Sequence, residues 1–475
     1  MRLRQKRLRL KNLLHSSEKK FKTQVLDFFL CISKKSYTFW TFFLYISKKS
    51  CTFAHFCAQQ QVKTLYKNMV SIGVLQVANY LIPFLVLPII SRILGASLFG
   101  SVSYAQNIIS YLTLLINYGF EYSATRQISI ARDDKTRTDA IFWSVITAKS
   151  VLLLISFAVL AALPLFLERV ACDPRLYIYT ALANIGIVFF PTWYLQGVQQ
   201  MDKMAWANFF TKLLGALLVL TFVREAAAYR LYPLLLSLAS IAVGVGALIY
   251  VIRHFGISRP VLSRTTMREV MGAGAPIFLN NIFVSLYTVA NMTLLGIYAA
   301  DDVIGYFSGA QRLILALNMI VVLPVSMAAY PEISRRFVES KKEGIAFFKR
   351  VLLWAGLGAA VVSILTFAFA PLIIRIMYGA GFAPSVTLLR WLSPIPFLVM
   401  TATLLTVQGL YGMGLSKWAP WVGLILAVCC VGMNLLLLPR IGVKGVCISW
   451  ITAELLECFI VGAILLTKGR KLCSI

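Results

Sequence analysis

Four cations stand inside long apolar stretches of this 475-residue chain, and they carry the sharpest chemistry it offers. Lys149, Lys212 and Arg312 fall near the middle of such stretches, and Arg390 near the start of another. A cation at a bilayer centre costs ~2.5–3.5 kcal/mol if it faces lipid, so these side chains are expected to face a cavity. The only carboxylates well inside apolar stretches are Glu454 and Glu457, which leaves at least two of the four cations without an intramembrane counter-ion. The cavity is therefore expected to be net positive and to suit an anion. Phosphate oxygens fit best, because a guanidinium binds them bidentately and an ammonium holds them as a point charge. For Lys149 and Arg390 the alternative is snorkelling to an interface.

Polar side chains at helical spacing point to the same cavity: Gln76 and Asn79, then Asn281, Ser285 and Thr288, and Asn208 four residues before Lys212. Taken singly, each could equally serve a hydrogen bond between helices. Prolines at 83, 88, 276, 324, 394 and 396 would bend the helices that hold them, as a rocking bundle requires and as simple packing kinks would also explain.

The elements that position these groups follow from composition. With 59% hydrophobic residues, 13% charged and a mean hydropathy of +0.79, a water-exposed globular surface is excluded. From Val70 onward, apolar stretches near 70–90, 101–120, 140–163, 176–198, 204–223, 231–252, 272–298, 303–329, 351–374, 385–410, 418–438 and 443–467 alternate with short polar loops. Each is long enough for a ~30 Å hydrocarbon core, which predicts an all-α integral membrane protein of about twelve transmembrane helices. The net charge of +28 sits between the spans rather than on a nucleic-acid-binding face. One set of connections carries 19 Lys and Arg and the other carries 8, so both termini are expected in the cytoplasm.

An internal repeat is visible at an offset of 205 residues: ASLFGSVSYAQN at 96–107 aligns with DDVIGYFSGAQR at 301–312. It pairs Gly100 with Gly305, Ser103 with Ser308, Ala105 with Ala310 and Gln106 with Gln311; Gln76 and Asn281 share the offset. Six spans separate the copies, an even number, so the repeats are parallel. They predict two six-helix bundles around a central cavity, at 69–253 and 272–467, with a cytoplasmic linker at 254–271 and a tail at 468–475.

Residues 1–68 read differently. They hold 15 Lys and Arg against 2 acids, and FFLCISKKSYTF at 28–39 recurs as FFLYISKKSCTF at 42–53, ten of twelve positions matching. The expectation is a non-native extension upstream of a true start at Met69; the alternative is a basic targeting or membrane-surface segment.

Absent motifs narrow the chemistry. No GxxxxGK[ST] loop supports an ATPase, no GxSxG elbow supports a hydrolase, and His15, His55 and His254 have no metal spacing. Nine cysteines show no CxxC, so neither a disulfide framework nor a zinc site is indicated. Neither an enzyme nor a cofactor is expected.

Several blocks of the sequence resemble one family in order along residues 70–467. VANYLIPFLVLPIISRILGASLFGSVSYAQNI and NYGFEYSATRQISIAR open the series, followed by PTWYLQGVQQM (191–201), IGYFSGAQRLI (304–314), YPEISRRF (330–337), MYGAGFAPSVTLLRWLSPI (377–395) and NLLLLPRIGVKGVCISWITAE (434–454). These resemble Wzx-type polysaccharide repeat-unit flippases of the MOP exporter superfamily, a MATE-like fold. The resemblance implies translocation of a polyprenyl-pyrophosphate-linked oligosaccharide across the bacterial cytoplasmic (inner) membrane for O-antigen, capsule or exopolysaccharide, beside a polymerase and ligase. On that reading Arg312, Lys212, Lys149 and Arg390 bind the head group with Gln76, Asn79, Asn281 and Gln311. Arg126 is an entry contact, and Glu454 a group that titrates or pairs with a neighbouring cation. The rivals are a multidrug antiporter of the same superfamily, which would want an acidic chamber, and a lipid-linked peptidoglycan precursor flippase.

Overall fold

Apolar runs without a soluble segment between them leave the backbone only one way to satisfy its amides in lipid, and the chain takes it. A computed structural model describes residues 60–258 and 263–469, with side chains from Leu81 to Thr467 save those at positions 287, 323, 331, 338, 341 and 416. Two units are separated, Met1–Ser71 and Ile72–Ile475. In the first, the described residues are helical from Gln60, and the basic repeats at 28–53 lie outside the described residues.

The main helices are α1 (Gln60–Asn117), α2 (Phe120–Ile130), α3 (Lys135–Ala162), α4 (Pro174–Ala181), α5 (Ala183–Phe189), α6 (Thr192–Gly197), α7 (Met201–Phe222) and α8 (Leu231–His254). They continue with α9 (Arg264–Thr288), α10 (Ala290–Tyr298), α11 (Asp301–Glu339), α12 (Lys341–Met377), α13 (Ser385–Leu392), α14 (Ile395–Thr403), α15 (Ala419–Ile441) and α16 (Val443–Ile464). Among the described residues the secondary structure is helical, without strands. Side-chain oxygens set several starts: Asp134 accepts from the Arg137 amide at 3.0 Å at the head of α3, and Ser263 from Thr266 at 3.4 Å at the head of α9.

Among the described residues, eleven helices are long and apolar enough to cross a membrane, against about twelve expected along the whole chain. The difference lies in Leu81–Ile130, where two helices join across a kink at Gly95, φ +69°. Fifty unbroken residues would measure about 75 Å, more than twice the core, so a glycine able to leave helical geometry is needed there. Expected spans one and two are therefore two helices that meet at Gly95, with a sharp kink where a loop was expected. The stretch expected at 385–410 is broken where Pro394 and Pro396 start α14, and it ends in a π-helical turn, Leu404–Tyr411. Helix α9 begins at Arg264, inside the stretch expected as linker, because Ser263 caps it early.

Packing within the main unit follows the chain: α8 lies on α5 and α7, α11 on α12, α13 and α14, and α15 on α16. Helix α9 touches both α15 and the pair α2 and α3. Large apolar side chains left exposed, such as Leu353, Trp354, Leu357, Val361, Ile364 and Leu365 on α12, recur at helical spacing and form the lipid-facing surface.

Candidate functional site

The repeated glycines meet each other. Gly100 on the second segment of α1 and Gly305 on α11 are in backbone contact, such that a methyl group on Gly100 would overlap the Asp301 carbonyl and one on Gly305 the Ala96 carbonyl. Ala96 and Asp301 are themselves 205 residues apart, so each copy of the repeat clamps the same position of the other. Only residues without a Cβ allow two helices this close.

One and two turns beyond the crossing, polar side chains bridge the same pair of elements. The Arg312 guanidinium on α11 donates from Nη2 to Gln106 Oε1 at 2.7 Å and to Ser103 Oγ at 3.3 Å, and from Nε to Ser308 Oγ at 3.4 Å. It also lies 5.2 Å from the Phe99 ring centroid. All its oxygen partners are neutral, and among the described residues no carboxylate lies within ion-pairing distance. Its full charge is therefore available to an anion. Asn107, the repeat partner of Arg312, donates to Thr293 Oγ1 on α10 at 2.7 Å, and Tyr111 Oη lies 3.1 Å from the same hydroxyl.

Arginines close one end of this crossing. Arg169 pairs with Asp301, donates to the Ala299 carbonyl and reaches Gly296 O at 2.6 Å, capping the C-terminus of α10. Ser101 Oγ donates to the other Asp301 oxygen at 2.9 Å, and Arg92 Nη2 donates to Ile376 O at 2.6 Å near the end of α12. At the opposite end, Arg137 pairs with Glu269 of α9 and Tyr118 stacks on Phe278 at 4.7 Å. Asp301→Ala removes a half-exposed pair worth about 1 kcal/mol, and a single cysteine at Asn107 should then react roughly fivefold faster with a soluble maleimide added from the Arg169 end. An unchanged rate would show that the pair does not hold this end shut.

The other expected site residues are dispersed. Lys212 is exposed, yet it lies seven residues from both Ala205 and Val219, which are buried, while Trp206, Phe210 and Leu217 cover another face of α7. Its side chain therefore leaves the inward face of the helix. Lys149 is 1% exposed and donates to Asn117 Oδ1 at 3.2 Å, so in this conformation it sits behind the wall. Arg390 is exposed and lies 5.5 Å from the ring of exposed Phe367, sharing no partner with Arg312. Arg126 is exposed on α2; Asn281 on α9 and Gln311 on α11 are half-buried. The side chains of Gln76 and Asn79 lie outside the described residues. Glu454 accepts from Trp450 Nε1 at 3.2 Å and Glu457 from Thr406 Oγ1 at 2.8 Å; among the described residues neither makes an ion pair. Sequence reading missed Asn107, Tyr111 and Thr293 as a bridge, although the 205-residue offset that aligns Asn107 with Arg312 marked the first of them.

A family model described as "Polysaccharide biosynthesis protein" matches residues 65–337, more than half of the chain. The chain belongs to that family. Among its relatives, a protein of Escherichia coli (strain K12) named "Putative O-antigen transporter" is 27% identical over 345 residues, covering 73% of this chain and 83% of the relative. Two solved structures share the fold of this family member. The lipid II flippase MurJ in an inward closed conformation aligns with a TM-score of 0.67 at 13% identity, over 84% of this chain and 87% of that one. An inward-facing multidrug resistance MATE family transporter of the MOP superfamily aligns at 0.64 and 15% identity, over 84% and 99%. At such identities the likeness is one of fold, and the fold is that of membrane transporters and flippases.

Proposed function

We propose that this protein is a flippase that carries polyprenyl-pyrophosphate-linked oligosaccharide repeat units across the bacterial cytoplasmic membrane for surface polysaccharide assembly. The observation that carries the reading is Arg312, a guanidinium held between the two repeat copies, among the described residues, by neutral oxygens alone. A pyrophosphate bearing a hydrophilic glycan cannot cross hydrocarbon unaided, because its charges would be stripped of water. A cation lacking a counter-ion offsets that cost, with Lys212, Gln311 and Asn281 as further head-group contacts and Arg126 as the entry contact. Lys149 adds its field through Asn117, and Arg390 meets the substrate at the exposed flank. Gln76 and Asn79 complete the polar lining.

On this reading the halves at 69–253 and 272–467 rock about the Gly100 and Gly305 crossing, exposing the cations alternately to each side. The Arg169 end faces outward and both termini face the cytoplasm, following the distribution of Lys and Arg. Glu454 couples the motion to an ion gradient, and the product passes to a polymerase and ligase.

The test puts the purified chain into proteoliposomes with a fluorescent polyprenyl-pyrophosphate oligosaccharide and follows leaflet exchange under an imposed proton or sodium gradient. Exchange is expected. No exchange with several glycans, together with transport of cationic dyes, would replace the reading with a multidrug antiporter. Lys149→Met should separate field from contact. Removing a buried ammonium whose hydrogen-bond partner among the described residues is the neutral Asn117 should raise the melting temperature in detergent, while exchange falls less than roughly threefold. A larger loss of exchange would make Lys149 a direct ligand.

A further inference from the structure

The second segment of α1 and the pair α9 and α10 run side by side as a seam, and the seam is not uniformly closed. Toward the Arg169 end it is tied by Asn107 and Thr293 at 2.7 Å, and toward the Arg137 end by Tyr118 stacked on Phe278 at 4.7 Å. Between these ties lies an open crevice of ≈ 170 Å³, with Tyr111, Leu114 and Leu115 on one wall and Phe278, Ile282 and Leu286 on the other. The rest of its lining is Ser285. A gap bounded by two tight contacts is a local opening, not loose packing along the whole interface.

Its position relative to the cation gives it meaning. Gln106, the partner of Arg312, precedes Tyr111 by five residues and Leu115 by nine on one helix, which is about 7 to 14 Å along the axis. Tyr111 belongs to both environments: its hydroxyl reaches Thr293 and its ring lines the crevice. An unpaired guanidinium followed within two or three turns by an apolar slot matches an amphiphile whose anion is joined directly to one hydrocarbon chain. A prenyl pyrophosphate has this form, since its first chain carbon is esterified to the phosphate. A glycerophospholipid sets a glycerol ester between phosphate and chains and brings two chains for one slot.

We infer that the crevice between Tyr111–Leu115 and Phe278–Leu286 binds the pyrophosphate-proximal part of the substrate's isoprenoid chain while Arg312 holds the anion. The inference deepens the flippase reading and rests on it for the substrate class. During translocation the chain lies in the seam and never leaves an apolar environment, so only the head group needs the polar path.

The probe is a long-chain prenyl pyrophosphate carrying a diazirine within its first isoprene units, photolysed with the full chain in nanodiscs; diazirine phosphatidylglycerol is run in parallel. The prenyl probe is expected to label peptides containing Tyr111–Leu115 and Phe278–Leu286. Unlabelled prenyl pyrophosphate should compete, and phosphatidylglycerol should not. Ile282→Trp fills the slot from one wall and Leu115→Trp from the other; either should reduce labelling roughly tenfold, with Ile282→Leu close to the unmodified chain. Both Trp variants are first shown to be monodisperse, and if one fails to fold the other decides. Labelling that is spread over other helices, unchanged in a folded Trp variant, or equal with phosphatidylglycerol overturns the inference. The two readings fail separately. Crevice labelling without leaflet exchange would remove the flippase reading alone, and exchange without crevice labelling would remove the chain subsite alone.

Discussion

Leaflet exchange by Arg312→Ala is expected to fall roughly ten- to a hundredfold below that of the unmodified chain, the loss of charge-assisted hydrogen bonds worth about 1.5–3 kcal/mol. Among the described residues the guanidinium has three oxygen partners, none of them charged, and these hold it between the repeats without cancelling its field. Arg312→Lys keeps the charge and loses the fork, so an intermediate rate is expected. Gln106→Glu is the sharper variant, because it changes one atom of the partner 2.7 Å away and supplies a carboxylate. If anion binding is what Arg312 does, this near-isosteric change should impair exchange about as much as Arg312→Ala while leaving the chain folded. Exchange at the unmodified rate in Gln106→Glu would show that the charge is not used, and Arg312 would then be a structural tie between helices.

Gly305→Leu should abolish exchange, and Gly100→Leu should do the same. A side chain at either position would occupy the place of a backbone carbonyl of the other repeat, which no rotamer change relieves. Overpacking of this kind costs typically about 1–3 kcal/mol even where side chains can yield, and here the obstacle is main chain. The melting temperature should fall with the activity. Gly246→Ala and Gly462→Ala serve as controls, since an added Cβ there meets nothing within 4 Å. Both should retain exchange and be neutral or slightly stabilised, because alanine is the better helix former. A Gly305→Leu variant with unmodified stability and exchange would show that the crossing is not the pivot between the halves.

Much of this architecture was legible because lipid imposes severe rules. Apolar length fixed the order of the helices, several of which run as far as ten residues beyond the expected spans, and the offset of 205 residues aligned the two positions that meet at the crossing. Errors came where a local feature overrode the hydropathy pattern. Gly95 put a kink between two helices where a loop was expected, and Ser263 started α9 early. The candidate cations show a different kind of gap. Arg312 and Lys149 read alike in sequence, each a lone cation in an apolar stretch, yet one reaches across to the other repeat and the other is enclosed behind Asn117.

The sequence by itself determined the polytopic all-α architecture, the repeat, the family and the excess of cations within the spans, because each depends on composition or on spacing along one chain. Only the tertiary structure decided which cation stands at the crossing of the repeats, what holds it there, and where the seam opens. Those properties depend on contacts between residues far apart in the chain, 206 positions for Gln106 with Arg312, 200 for Ser101 with Asp301 and 132 for Arg169 with Asp301. A hydropathy pattern reports whether a side chain prefers lipid to water; it carries no information about which neighbouring helix that side chain meets.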